Sequence, residues 1–226
     1  MILSVVIPCY NEKHIKRQVD IVKQYLDVNI DGADYEIIVV NDGSKFFDYE
    51  PDNDKTRVVS YDVNHGKGYA VKKGFEAAEG ESVIFMDCDL ATSLKAVNDS
   101  LAIKKDYDIV IGNRYHKDSN VKRSFIRLML SKCMNILERI VLGINVADTQ
   151  CGFKVFSKAV AKDFAARQKI DGFAFDLEYL YLAKRLGYSV KDIGVEWHEN
   201  GEESKVNLKK SWRAVTDVFA IRRFYK

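Results

Sequence analysis

The chain has 226 residues, of which 47% are apolar, enough to bury one sizeable core. Its 35 basic and 33 acidic side chains leave a net charge of +2, a balance that excludes a bulk-charge argument for nucleic-acid binding. The four cysteines, Cys9, Cys88, Cys133 and Cys151, lie far apart and form no CxxC pair, a pattern that fits free thiols in a reducing cytoplasm.

The N-terminal stretch MILSVVIPCYNE has no basic region followed by an apolar core, which predicts no secretory leader. No run of about 18 apolar residues occurs, which predicts no membrane span. Ile2 to Ile7 reads as a buried strand and Glu12 to Val28 as a helix, with Ile15, Val19, Val22 and Leu26 at helical spacing. Tyr35 to Val40 and Arg57 to Tyr61 are the next strands, and Gly68 to Glu79 repeats the helical pattern. Ser82 to Met86 and Asp108 to Gly112 are two further strands. Alternating helices and nearly all-apolar strands predict a mostly parallel α/β sheet covered on both faces.

After Gly112 the pattern changes. Val121 to Leu142 reads as a long helix with adjacent apolar stripes, Phe125/Met129/Cys133/Ile136/Ile140 and Ile126/Leu130/Met134/Leu137/Val141. DTQCGFKVF (residues 148–156) reads as a turn and strand, FDLEYLYLAKRLG (175–187) as a helix, and YSVKDIGVEW (188–197) as a strand. The last twenty residues form a basic helix with Leu208, Trp212, Val215 and Phe219 on one side. We divide the chain into a catalytic domain over 1–205 and this helix over 206–226. Within the domain, about 1–115 binds nucleotide and about 116–205 binds acceptor.

In open parallel sheets, ligands bind beyond the carboxyl ends of the strands. PCYNE, NDGS and Asp87-Cys88-Asp89 all lie at such ends. Two carboxylates one residue apart can hold a divalent ion whose remaining ligands are phosphate oxygens. They can equally be a solvated strand cap. Pro8 and Asn11 can simply shape a strand exit and cap a helix, NDGS can be only a turn, and NHGKGYA is no P-loop.

Taken together, VVIPCYNE, VVNDGS, NHGKGYAV, MDCDLAT, GNRY, DTQCGFKVF and GFAFDLEYL resemble, in order, the motifs of family 2 glycosyltransferases with the GT-A fold. The likeness spans residues 2 to 205 and is strongest to polyprenyl-phosphate hexosyltransferases: dolichyl-phosphate β-glucosyltransferases first, mannose synthases next. The resemblance implies that Pro8, Tyr10, Glu12, Asp42, Lys67 and Asp87 line the sugar nucleotide. It implies that Asp89, with Asp87, holds Mg²⁺ or Mn²⁺. Asn41 stands where the family usually has aspartate. Ala91 stands where mannose synthases often have a glutamine ligand, which tilts the reading to glucose and UDP.

The implied reaction moves a hexose, with inversion, to a polyprenyl phosphate. A phosphomonoester, with a second pKa of about 6, is already an anionic nucleophile near neutral pH, so no strong base is needed. Arg114 and Arg127 are the expected groups on the acceptor phosphate, with Arg123 and Lys154 behind them. Each arginine can also belong to a solvated helix face. Asp148 and Gln150 are expected on the sugar hydroxyls, and Asp176 and Glu178 are expected to face the same pocket from a helix. Were the acceptor a sugar hydroxyl, as in surface-polysaccharide synthesis, a carboxylate such as Asp176 would act as base. A non-catalytic nucleotide-sugar-binding protein is the third reading. The lipid acceptor and the basic C-terminal helix predict peripheral attachment to the inner face of the membrane, directly or through a separate membrane protein. Oligomerisation is compatible with all of this.

Overall fold

The computed structural model describes residues 3–30, 34–117, 119–121, 125–198 and 208–226, with side chains outside the description at 120–121, 125–133 and 208–214. Leu3–Cys9 (β1), Tyr35–Asp42 (β2), Thr56–Tyr61 (β3), Ser82–Met86 (β4), Ile109–Asn113 (β5), Phe153–Ser157 (β7) and Val190–Gly194 (β8) form one sheet in the order β3-β2-β1-β4-β7-β5-β8. All neighbours are parallel except β7, which runs antiparallel to both β4 and β5. A second, two-stranded sheet pairs Asn120–Val121 (β6) with Glu196–Trp197 (β9).

The strands predicted up to Gly112 fall within a residue or two of the observed ones, whereas the single strand expected over 188–197 is two, β8 and β9, parted at Val195 and belonging to different sheets. Apolar runs bounded by turn residues leave little freedom in where a buried strand begins. The predicted helix from Glu12 instead starts at Ile15 (α1, Ile15–Asn29), because Asn11 adopts a positive φ of 52° and Glu12 Oε1 accepts the His14 N–H at 3.0 Å. Its buried stripe is the expected Ile15, Val19, Val22 and Leu26.

Helices cover both sheet faces. The outer ends of alternate strand residues such as Val5, Ile7 and Ile37 meet α1 and Lys95–Lys104 (α3). The opposite residues, Val6, Ile38 and Phe85 among them, meet Lys67–Ala77 (α2), Lys158–Arg167 (α5) and Phe175–Leu186 (α6). An aromatic cluster of Phe75, Phe156, Phe164, Phe175 and Tyr179 fills this second layer, with ring centroids 5.1 to 6.1 Å apart.

Phe125–Leu142 (α4) and Leu208–Phe224 (α7) pack against each other and onto this layer. Of the two stripes expected on α4, Met134, Leu137 and Val141 pack on the core, whereas Ile136 and Ile140 are exposed. Among the described side chains of α7 the buried ones are Val218 and Ile221, and Phe219, expected on the apolar side, is 53% exposed. The expected Trp212 and the basic Lys209, Lys210 and Arg213 lie outside the described side chains. Among the described residues no helix is long and apolar enough to cross a membrane.

Candidate active site

The ends of β1, β2 and β4 converge on one edge of the sheet. Pro8 is buried within β1, and Tyr10, just beyond it, is about half exposed. The Asn11 N–H donates to Ser44 Oγ at 2.8 Å and Asn11 Oδ1 accepts from Lys45 N–H, tying the first loop to the second.

Asp42 ends β2, buried. Its Oδ1 accepts the His65 N–H at 2.8 Å, and its Oδ2 accepts the Gly66 N–H at 2.9 Å and the Asn64 side-chain amide at 2.7 Å. The carboxylate is therefore spent on the 64–66 turn. The residue implied to line the sugar nucleotide thus shapes the loop beside that edge. That turn delivers Lys67 as the first residue of α2.

Lys67 Nζ lies 2.5 Å from Asp87 Oδ1 as an ion pair. Burial works against the ammonium, but Asp87 and then Asp176 outweigh it and hold its pKa above the ordinary value. Asp89 Oδ1 accepts the Ala91 N–H at 3.0 Å. Burial raises the Asp89 pKa; the Ala91 bond opposes this, and Asp87 and the nearby Glu12 add to it. The strand end thus gathers Glu12, Asp87 and Asp89 around one ammonium, an excess of negative charge.

That excess fits a divalent cation. Among the described residues no group of three or more His, Cys, Asp or Glu side chains is placed to hold a metal by itself. An ion here would be held by Asp89 and Asp87, with substrate phosphate and water oxygens completing its shell, the usual manner for Mg²⁺.

The second half of the site is built by the reversed strand. Because β7 is antiparallel to β4, with Met86 opposite Phe153, its beginning rather than its end lies beside Asp87. The Asp87 N–H donates to the Gly152 carbonyl at 2.9 Å. A Cβ on Gly152 would come within 2.0 Å of Asp87 Oδ2, so a side chain here would displace that carboxylate. Sequence reading missed Gly152 as a site residue; its signal was its place directly after Cys151 in the DTQCG run.

Arg114 and Asp148 are brought together, as a buried bidentate pair. Nε to Oδ2 is 2.7 Å, Nη2 to Oδ1 is 2.8 Å, and the Arg114 N–H also donates to Oδ2 at 2.9 Å. Burial opposes both charges, yet each overrides it for the other, so Asp148 titrates below and Arg114 above its ordinary range. Arg114 also lies 5.7 Å from the Trp197 ring. The expectation that Asp148 binds sugar hydroxyls is corrected: both its oxygens are taken by Arg114. Gln150 is exposed on the same loop.

Lys154 is likewise corrected. It is 1% exposed, and its ammonium donates to Asp176 Oδ1 and to the Cys151 carbonyl, each at 2.7 Å, so it supports the loop from beneath and does not face an acceptor. Asp176 is buried in this pair, its pKa raised by burial and only partly restored by Lys154 and Lys67. One of its oxygens is engaged by the Lys154 ammonium. Glu178 does not share its pocket. Two residues apart on a helix, the side chains diverge by about 200°, and Glu178 instead accepts the Lys169 and Ile170 N–H groups at 2.8 and 3.0 Å. The side chain of Arg127 and the whole of Arg123 lie outside the described residues.

Glu138 on α4 was not foreseen. It is 2% exposed, accepts the Thr149 hydroxyl at 2.9 Å, and burial pushes its carboxyl up to about 7. Cys88 and Cys151 are pushed up to about 12 and about 11 by burial, which keeps both thiols protonated and supports packing roles.

Comparison with known proteins places this geometry in context. The model of the family "Glycosyl transferase family 2" matches residues 4–164. Human dolichyl-phosphate β-glucosyltransferase is 34% identical over 245 residues, covering 99% of this chain and 75% of that protein. The Dictyostelium discoideum enzyme of the same name is 32% identical, covering 99% of this chain and 74% of its own. Among solved structures, glucosyl-3-phosphoglycerate synthase from Mycobacterium tuberculosis, in complex with Mn²⁺, UDP-glucose and glycerol 3-phosphate, matches with a TM-score of 0.66 at 18% identity. That match covers 97% of this chain and 78% of the other. The likeness extends to the whole sheet and its helices, so the fold is the GT-A-like α/β architecture.

Proposed function

This chain belongs to glycosyltransferase family 2, and from that premise we propose that it transfers glucose from UDP-glucose, with inversion, to a polyprenyl phosphate. The observation that carries the reading is the Asp87–Asp89 pair at the end of β4, facing Lys67 within a chain that resembles dolichyl-phosphate β-glucosyltransferases from end to end. The names of those relatives support glucose and a lipid phosphate; the solved neighbours that hold UDP with Mn²⁺ support the nucleotide and the metal class.

A divalent ion bound by Asp89 and Asp87 would neutralise the leaving diphosphate. Pro8, Tyr10 and Glu12 line the nucleotide from the β1 end. Lys67 gives the same region a fixed positive charge, one that its carboxylate neighbours keep protonated across the physiological range. The acceptor phosphate needs cations that overcome repulsion between two anions more than it needs a base. Arg114, pre-oriented by Asp148 and backed by Trp197, meets it with the guanidinium edge that Asp148 leaves open. Arg127 and Arg123 approach from α4. Gln150, on the exposed part of the loop, reaches the sugar hydroxyls. The chain acts on the inner face of the membrane, held there by basic and apolar residues of α7; sedimentation with anionic vesicles at low salt tests that attachment.

The deciding experiment is transfer of radiolabel from UDP-glucose, with Mg²⁺ or Mn²⁺, into an organic-soluble, mild-acid-labile product. Label in a water-soluble saccharide instead would replace the lipid with a sugar-hydroxyl acceptor. Nucleotide binding without any transfer would leave a binding protein.

A further inference from the structure

The residues holding Lys67 in place do not end at the active site. Lys67 sits between two glycines that press against the 170–172 turn. A Cβ on Gly66, whose φ is +116°, would lie 2.5 Å from the Asp171 carbonyl, and one on Gly68 would lie 2.6 Å from the Ile170 carbonyl. The Asp171 carbonyl also accepts the Tyr69 N–H at 3.1 Å. The start of α2 is thus seated on this turn, with no room for slack.

The turn in turn hangs on Glu178, which receives the N–H groups of Lys169 and Ile170. Glu178 is fully buried, a costly place for a carboxylate without partners. Its remaining described partner comes from the other end of the chain. Tyr225, one residue past α7, places its hydroxyl 2.6 Å from Glu178 Oε1 and 2.8 Å from the Arg167 carbonyl. Its ring lies 6.3 Å from that of Tyr181.

We propose that Tyr225 is a positioning residue for the sugar-nucleotide site: through Glu178 and the 169–171 turn it fixes the start of α2 and so the placement of Lys67 against Asp87. It is the Tyr225 hydroxyl, and not the packing of the C-terminal helix as a whole, that is thereby coupled to the sugar-nucleotide centre. Tyr225 touches no substrate and acts through residues it holds. The inference rests on the function proposed above for what Lys67 binds, but the hydrogen-bonded path does not depend on it.

Tyr225→Phe in the full chain removes the hydroxyl and keeps the ring. The expected result has two parts. Amide hydrogen exchange at Lys169, Ile170 and Tyr69 speeds up by about tenfold, the loss of roughly one hydrogen bond's protection. The Kd for UDP with Mn²⁺, and the KM for UDP-glucose, rise about fivefold to tenfold, while the KM for polyprenyl phosphate stays put. Ile221→Ala, which removes buried packing of the same helix, serves as the control: it lowers Tm without changing nucleotide affinity in the folded protein. Glu178→Gln supplies a second break in the path and should show the same nucleotide-specific weakening. Unchanged exchange and unchanged nucleotide affinity in Tyr225→Phe would overturn the proposal, as would an equal loss of affinity in Ile221→Ala. A wild-type protein that transfers no sugar would instead sink the proposed function, and the exchange and UDP-binding measurements would still judge the path.

Discussion

The two halves of this site use charge in opposite ways. Along β1, β2 and β4, the charges of Glu12, Lys67, Asp87 and Asp89 crowd together at a partly open strand end, and their summed charge is left negative. Along β7 and α6, Asp148, Lys154, Asp176 and Glu178 are buried, and each is neutralised or hydrogen-bonded by the protein itself. In the function proposed above, the first set would receive a cation and phosphates. The second is a frame. The lesson is that a charged residue in a functional motif need not touch substrate; burial and partners decide which task it performs.

The sharpest way to break this contrast is to cut one charge out of the frame. Lys154→Met leaves the buried Asp176 without its ion-pair partner and should cost about 3–5 kcal/mol of stability. Combined with Asp176→Leu it should recover most of that loss, read by urea denaturation. A Lys154→Met protein of normal stability would place Lys154 with the open set. Asp89→Asn makes the complementary case. It keeps an acceptor for the Ala91 N–H, so Tm should hold steady, while transfer falls about 10²–10³-fold in a radiolabel assay.

Glu138 tests the frame through pH. Its folded pKa of about 7 lies above the ordinary 4.5, so the folded state binds the proton more tightly than the unfolded one. The stability this contributes is complete below about pH 4.5 and is lost as pH rises through about 7. The shift corresponds to about 3 kcal/mol at most. Urea midpoints at pH 5 and pH 8 should therefore differ more for the wild type than for Glu138→Gln; equal slopes would mean that Glu138 is not buried as described. The smallest effect joins the halves. Gly152→Ala would push the Asp87 carboxylate aside, and a displacement on that scale should slow transfer about 10- to 100-fold with little change in stability.

Much of the first half was legible in the sequence, because its logic is local. An apolar run ending in Asp-Cys-Asp fixes both the strand and the place where its carboxylates emerge. The second half was legible as motifs but not as directions. Asp176 and Glu178 sit two apart in one helical turn, yet the spacing alone does not say which one turns toward the sheet. Lys154 lies in a strand, where side chains alternate, and only the register opposite Phe85 and Ile111 puts it under the cleft. Helices α3 and α5 escaped notice because KAVNDSLAIK and KAVAKDFAAR carry few large apolar side chains to set a period. Tyr225, at the far end of the sequence, has no local signal; its meaning exists only once α7 has docked.

The single strand that runs against its neighbours decides where the cleft finds its second wall. With parallel neighbours alone, the segment leading into that position would emerge at the opposite rim, remote from the chemistry. Reversal turns the 143–152 connection into a border of the cleft and brings Asp148, Gln150 and Gly152 to the rim formed by the ends of β1, β2 and β4. A wall made this way costs the chain no extra strand: the turn that enters the sheet also closes its open edge.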